Sequence, residues 1–282
     1  MHALIIRTGR VATIALAAMI LPVPAAFSGS SEWDGDARAG MRVVAGGPKV
    51  EDGRALVSAG VEIRLAPGWK TYWRYPGDSG VPPHFDFAKS ENVKSVQVAW
   101  PAPQRFADAD GVIIGYKSNV MFPLRIEPKD AARPVVLRLA LDYAICEKVC
   151  IPVQARGELT IKGGAKGSEI EKAEQTVPRA QKLGADAPLS VKAVHRDNGA
   201  KPARVLVDVA APHGSAVAVF AEGPTADWAL PVPDKVDGAP AGLQRFAFAL
   251  DGLPPGVTAA GATLKLTAVA GTDAIETTFR LD

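Results

Sequence analysis

Only two cysteines occur in the 282 residues, Cys146 and Cys150, and no Cys-x-x-Cys motif is present. Zinc normally takes four ligands, and no histidine lies close to the pair in sequence. Methionine is scarce as well: after the first two dozen residues only Met41 and Met121 remain. Charge of one sign is not in excess. There are 32 basic and 30 acidic residues, a formal net charge of +2, and no Lys/Arg block, so nucleic-acid binding has no electrostatic support. The scattered His84, His195 and His213 assemble into no Ser-His-Asp constellation, and no pair of carboxylates stands out for acid–base work. Long apolar runs are missing beyond the start of the chain. What is plentiful is glycine (27) and proline (23), which punctuate short Val-rich runs. That pattern predicts an all-β protein with many turns.

The start of the chain carries its own signal. Arg7 and Arg10 precede the apolar run Val11–Leu21, which is shorter than the roughly 20 residues of a membrane span. Pro22 and Pro24 end it, and small residues suited to cleavage follow at Ala25 and Ala26. Residues 1–26 therefore read as a secretory signal peptide, excluded from the fold. The expected destination is oxidising, a bacterial periplasm, where a cysteine pair can rest as a disulfide.

After the signal, about 255 residues remain, enough for one large or two ordinary domains. Arg54–Leu65 alternates, with Ala55, Val57, Ala59, Val61, Ile63 and Leu65 on one face, and predicts a long half-buried strand. Trp69–Tyr75 is an aromatic cluster ahead of the loop Pro76–Pro83. Val112–Tyr116 and Val120–Ile126 suggest a hairpin across Lys117-Ser118-Asn119, and Pro101–Gly111 reads as a connection. With Val135–Ile145 and Val153–Ile161, residues 41–163 hold about seven to nine strands, the count of a β-sandwich. Ser168-Glu169-Ile170-Glu171 resembles a capping box, so residues 164–186 are expected to form a helical connector. Its helix should run towards Leu183, kinked at Pro178. Residues 187–282 give a second set of about seven runs, Trp228–Val232 among them, and predict a second, cysteine-free sandwich.

The cysteine pair is the chemical focus. Fully extended, Cys146 and Cys150 would lie roughly 13 Å apart, beyond the ~7 Å that a disulfide tolerates. A bond needs a turn or one helical turn at Glu147–Val149, and Pro152 keeps Ile151 extended. Three roles remain open. A structural staple closing so short a loop stabilises by only about 2 kcal/mol in the chain-entropy picture. Two thiolates can hold a soft ion such as Cu(I). A redox dithiol works by thiolate attack through a mixed disulfide, with Lys148 favouring a thiolate and Glu147 opposing it.

Three stretches in order, Gly68-Trp69-Lys70-Thr71-Tyr72-Trp73-Arg74, Pro76-Gly77-Asp78-Ser79-Gly80-Val81-Pro82-Pro83 and Tyr143-Ala144-Ile145-Cys146-Glu147-Lys148-Val149-Cys150-Ile151-Pro152, resemble the periplasmic N-terminal region of the DsbD/ScsB thiol:disulfide interchange family. The Cys-x₃-Cys spacing is more similar to ScsB, the suppressor-of-copper-sensitivity branch. The resemblance implies an immunoglobulin-like fold, with Cys146 and Cys150 as the dithiol that exchanges electrons with a periplasmic thioredoxin-fold partner. It implies no cofactor. It also implies aromatic and acidic residues packed over the pair: Tyr72 and Trp73, with Asp78 and Tyr143 as further candidates. The family's membrane and C-terminal thioredoxin domains lie outside these residues, so a separate membrane electron carrier, or another thiol pathway, is the expected electron source. The rival expectation, from a different class, is a non-enzymatic β-sandwich that binds a protein or copper and uses the disulfide structurally.

Overall fold

A computed structural model describes residues 29–77, 80–108, 111–162 and 167–282; residues 1–26, expected to be a signal peptide, lie outside the described residues. The protein is all-β, as its composition predicts. The first eleven strands are β1 (Asp34–Gly35), β2 (Ala39–Glu51), β3 (Arg54–Leu65), β4 (Lys70–Gly77), β5 (His84–Asp86), β6 (Val93–Val98), β7 (Gln104–Asp108), β8 (Gly111–Lys117), β9 (Val120–Pro128), β10 (Val135–Cys146) and β11 (Cys150–Ile161). They form two sheets, β1-β2-β3-β9-β6 and β11-β10-β4-β8-β7, with β5 added beside β10. Helix α1 (Ser168–Glu174) follows. Eight more strands complete the chain: β12 (Arg179–Ala180), β13 (Ser190–Asp197), β14 (Arg204–Ala210), β15 (Val217–Glu222), β16 (Asp234–Val236), β17 (Gln244–Ala249), β18 (Thr263–Ala270) and β19 (Asp273–Arg280). These pair as β12-β19-β18-β15 and β13-β14-β17-β16.

Alternation drives both sandwiches, because one face of each strand must leave water. In β3 the apolar set Ala59, Val61, Ile63 and Leu65 is buried, and it meets Phe122, Leu124 and Ile126 of the neighbouring β9 and Leu137, Leu139 and Leu141 of the facing sheet. The second sandwich repeats this with Val205, Val207 and Val209 against Leu264, Leu266 and Ala268. The two cores merge into one continuous apolar cluster. Helix α1 lies against the outer face of β3 and β9, where Ile170 and Met121 close over Gly60; a side chain at Gly60 would strike both.

Four local expectations need correction. Pro101–Gly111 is not a plain connection: Gln104–Asp108 within it forms β7, which pairs antiparallel with β8, a long-range pairing that its prolines and aspartates did not suggest. Val112–Tyr116 and Val120–Ile126 do not form a hairpin: β8 and β9 belong to different sheets, and the chain crosses between layers at Ser118, whose φ is +66°. Local spacing cannot distinguish a hairpin from such a crossing. The helix stops at Glu174, far short of Leu183, its cap is Gly167 without a side-chain bond, and Arg179–Ala180 instead pairs parallel to β19. Trp228–Val232 is not a strand. Trp228, Leu230 and Val232 are buried alternately as a strand's would be, but Pro231 and Pro233 lack the N–H that a ladder requires. The strand there is β16, just beyond.

Candidate functional site

Strands β10 and β11 form a hairpin whose register pairs Cys146 directly with Cys150 across the turn Glu147-Lys148-Val149. The two are joined by a disulfide, with Cα atoms 4.1 Å apart. Strand β4 lies on the other side of β10, pairing Thr71 with Ile145 and Lys70 with Cys146. The Thr71 hydroxyl donates to the Ala144 carbonyl at 2.9 Å in the buried interior, fixing the two strands at the level of the sulfurs.

Period-two alternation sends Tyr143 and Ile145 into the main core and Ala144 and Cys146 to the opposite face. There Cys146 lies in a small separate apolar cluster with Tyr72, Ile113 and Ala144, with Phe106 packed against it. The two sulfurs are unequal. Cys146 is only 7% exposed, whereas Cys150 is exposed at the hairpin tip beside Val149, which is 70% exposed. The Tyr72 hydroxyl lies 3.0 Å from Cys150 Sγ; a disulfide sulfur carries no proton, so in this state the phenol donates. Gly80, with φ +134°, packs its backbone on the Tyr72 ring, where a Cβ would clash. The ammonium groups of Lys70 and Lys117 sit 5.8 and 5.5 Å from the centre of the Phe106 ring, at the rim of the cluster.

Two of the other expected cover residues, Trp73 and Tyr143, face the main core instead. Trp73 is fully buried in the main core, its ring 5.8 Å from Phe220 of the second sandwich. Adjacent residues of one strand face opposite ways, so Tyr72 and Trp73 cannot both lie over the sulfurs. Tyr143 is also on the core side; its hydroxyl has no hydrogen-bond partner among the described residues. Burial, reinforced by the Asp36 and Asp34 carboxylates, pushes its pKa up to about 12. Asp78 lies outside the described residues. Sequence reasoning missed Phe106, Ile113 and Ala144. Ala144 was readable from its i−2 relation to Cys146; Phe106 and Ile113 arrive through long-range pairing that leaves no local signal. Among the described residues no three His, Cys, Asp or Glu side chains converge on a metal-sized site.

Residues 49–162 match the family model described as thiol:disulfide interchange protein DsbD, N-terminal. The first sandwich is a DsbD/ScsB-like N-terminal domain. The solved structure described as the crystal structure of the N-terminal periplasmic domain of ScsB from Proteus mirabilis aligns over 90% of this chain and 98% of that one, with a TM-score of 0.69 and 21% identity. That alignment reaches well past the DsbD-type domain, so the fold similarity includes the second sandwich. The C-terminal domain of the Streptococcus agalactiae AgI/II polypeptide BspA aligns over 84% of this chain and 95% of that one at 9% identity, but its TM-score of 0.14 carries no structural argument. Comparison with curated proteins returned no match. The cysteine pair thus lies within the part of the chain that is similar to the N-terminal domain of thiol:disulfide interchange proteins. Among the described residues, no helix is long and apolar enough to cross a membrane.

The chemistry open to this arrangement follows from the asymmetry. Of the two cysteines, Cys150 is the one that lies exposed at the surface, where another protein can meet it. A phenol donor beside it favours the thiolate when the S–S bond breaks, because hydrogen bonds to a charged acceptor are roughly twice as strong as neutral ones. The buried sulfur sits among apolar groups, out of reach of an incoming protein.

Proposed function

We propose that this protein is a periplasmic thiol–disulfide exchange protein that relays two electrons between the Cys146/Cys150 pair and a thioredoxin-fold partner. The signal-like segment 1–26, a cysteine-bearing domain over 41–163, a connector over 164–186 and a second domain over 187–282 complete the reading. The observation that carries it is the inequality of the two sulfurs: Cys150 exposed at a hairpin tip and touched by the Tyr72 hydroxyl, Cys146 buried behind it.

In the reducing direction, the Cys150 thiolate attacks one sulfur of the partner's disulfide. A Cys150–partner bond forms, the partner's S–S bond breaks, and its other sulfur leaves as a thiolate. Cys146, deprotonated in turn, then attacks Cys150 Sγ. The Cys146–Cys150 bond closes and the partner's second sulfur is released. Two electrons pass to the partner, whose thiolates take up the two protons lost by the pair. Tyr72 covers Cys146 and steadies charge on Cys150.

The test mixes the reduced full chain with an oxidised thioredoxin-fold protein and counts thiols on each. Loss of two thiols here with gain of two on the partner supports the relay. A pair that stays reduced with every such partner, yet melts at a lower temperature once its disulfide is opened, supports a structural disulfide in a binding module instead.

A further inference from the structure

The strands that cover the dithiol are gripped from outside their own sandwich. Strand β4 contributes Tyr72, and its pairing with β8 shifts register between Tyr72 and Gly77. Three successive residues within that shift are held by the second sandwich. Trp73 packs on Phe220. Arg74 donates two parallel hydrogen bonds to Glu222, at 2.8 and 2.7 Å, and a third to Glu276. The Tyr75 hydroxyl donates to the Leu230 carbonyl at 2.8 Å in a buried position. Strand β7, which supplies Phe106 to the same cover, is held one residue earlier: Arg105 donates to Asp234 at 2.8 Å and to the Pro233 carbonyl at 3.4 Å.

The Arg74 cluster is built as a clamp. Its guanidinium also stacks on the Trp73 ring, 4.4 Å from the centroid. The side chains of Arg74, Glu222 and Glu276 are 22%, 14% and 23% exposed. Lys265 lies 3.2 Å from Glu276, so two cations face two carboxylates. A bidentate arginine–carboxylate pair fixes direction as well as distance. Removing Arg74 would leave the partly buried Glu222 without its arginine and Glu276 with Lys265 alone, and would release β4 from both.

We infer that the second sandwich braces the cover over the dithiol, and that Arg74 is a positioning residue acting through Tyr72 to keep Cys146 out of reach of small oxidants and alkylating reagents. The inference rests on the proposed function only in taking Cys146 as the sulfur to be kept covered. It gives the cysteine-free sandwich a task in the chemistry rather than a spacer's role.

The test is site-resolved alkylation of the reduced full chain with iodoacetamide, read by mass spectrometry at Cys146 and Cys150 separately. In the wild type Cys150 labels and Cys146 lags. Arg74→Ala should raise Cys146 labelling about tenfold through local opening while leaving Cys150 within about twofold. Arg74→Lys, which keeps the charge but not the fork, should recover only part of the protection. Glu222→Gln with Glu276→Gln keeps shape and removes the charge pairing, and should expose Cys146 even where Arg74→Ala fails to fold. Because the brace acts through the tyrosine, Arg74→Ala should add nothing in a Tyr72→Ala background, where Cys146 is already open. Unchanged Cys146 labelling in the folded charge variants would overturn the inference. So would an Arg74→Ala effect equally large with and without Tyr72. Partner exchange is read separately, so a wild-type chain that fails to exchange counts against the proposed function and not against the brace.

Discussion

The two sandwiches share one construction and differ on one outer face. Each buries the apolar side of two alternating sheets, and their cores join. In the second sandwich the largest buried groups, Phe220 and Leu266 among them, all belong to that common core. In the first, the sheet carrying β4, β8 and β10 has a second apolar cluster on its far side, and Cys146 lies in it. The difference teaches that the dithiol is not part of the framework. It is a small extra core laid on the outside of a sheet whose stability comes from the other face. A sulfur pair placed there can open and close without disturbing the residues that hold the fold.

That division can be tested by substitutions on either side of the sheet. The largest effect is expected at Trp73, on the framework side: Trp73→Ala should cost about 3–5 kcal/mol in denaturant unfolding, as large aromatic deletions from a core do. Tyr72→Ala, one residue away, should cost less and act mainly by opening Cys146 to alkylation. Equal losses at both positions would break the contrast. Next comes the disulfide itself. Reducing it should lower stability by only about 2 kcal/mol, the value for so short a loop, with the strand signal in circular dichroism retained. Global unfolding on reduction would make the pair a staple.

The smallest effect at neutral pH is expected at Tyr143, whose buried hydroxyl has no partner among the described residues. Tyr143→Phe should change stability at pH 7 by less than about 1 kcal/mol, because no hydrogen bond is lost. At alkaline pH it should matter more. The phenol stays neutral in the fold up to about 12, whereas in an unfolded chain it ionises near 10. Its contribution is therefore intact below about pH 10 and lost as pH rises through the folded value. The phenylalanine variant should resist alkaline unfolding better than the wild type. An identical alkaline midpoint would place Tyr143 in a wetter environment than the core side of the sheet.

Much of this was legible in the chain itself. The bounds of β3 are those its alternation predicts, Arg54–Leu65, because a strand with one buried face writes its period into the sequence. The turn between the cysteines follows from the reach of three intervening residues. The same period-two rule, applied to Tyr72 and Trp73, separates the covering residue from the core residue. What was not legible depends on distant partners. Phe106 meets Cys146 only because β7 pairs with β8 and β8 with β4. Arg74 finds Glu222 and Glu276 on strands far along the chain. The helix ends at Glu174, ahead of Pro178, which disfavours helix at Val177, and Arg179–Ala180 beyond it adds to the edge of β19, a distant partner that the local pattern did not show.

The central claim is that Cys150 is the exchanging sulfur and Cys146 the buried resolving one. Its most direct test uses Cys146→Ser and Cys150→Ser, each mixed with a thioredoxin-fold partner lacking its own resolving cysteine and run on a non-reducing gel. Cys146→Ser should accumulate a covalent complex that a reductant dissolves, since nothing remains to resolve the mixed disulfide. Cys150→Ser should form none. Complexes of equal yield from both variants, or a complex from Cys150→Ser alone, would contradict the account.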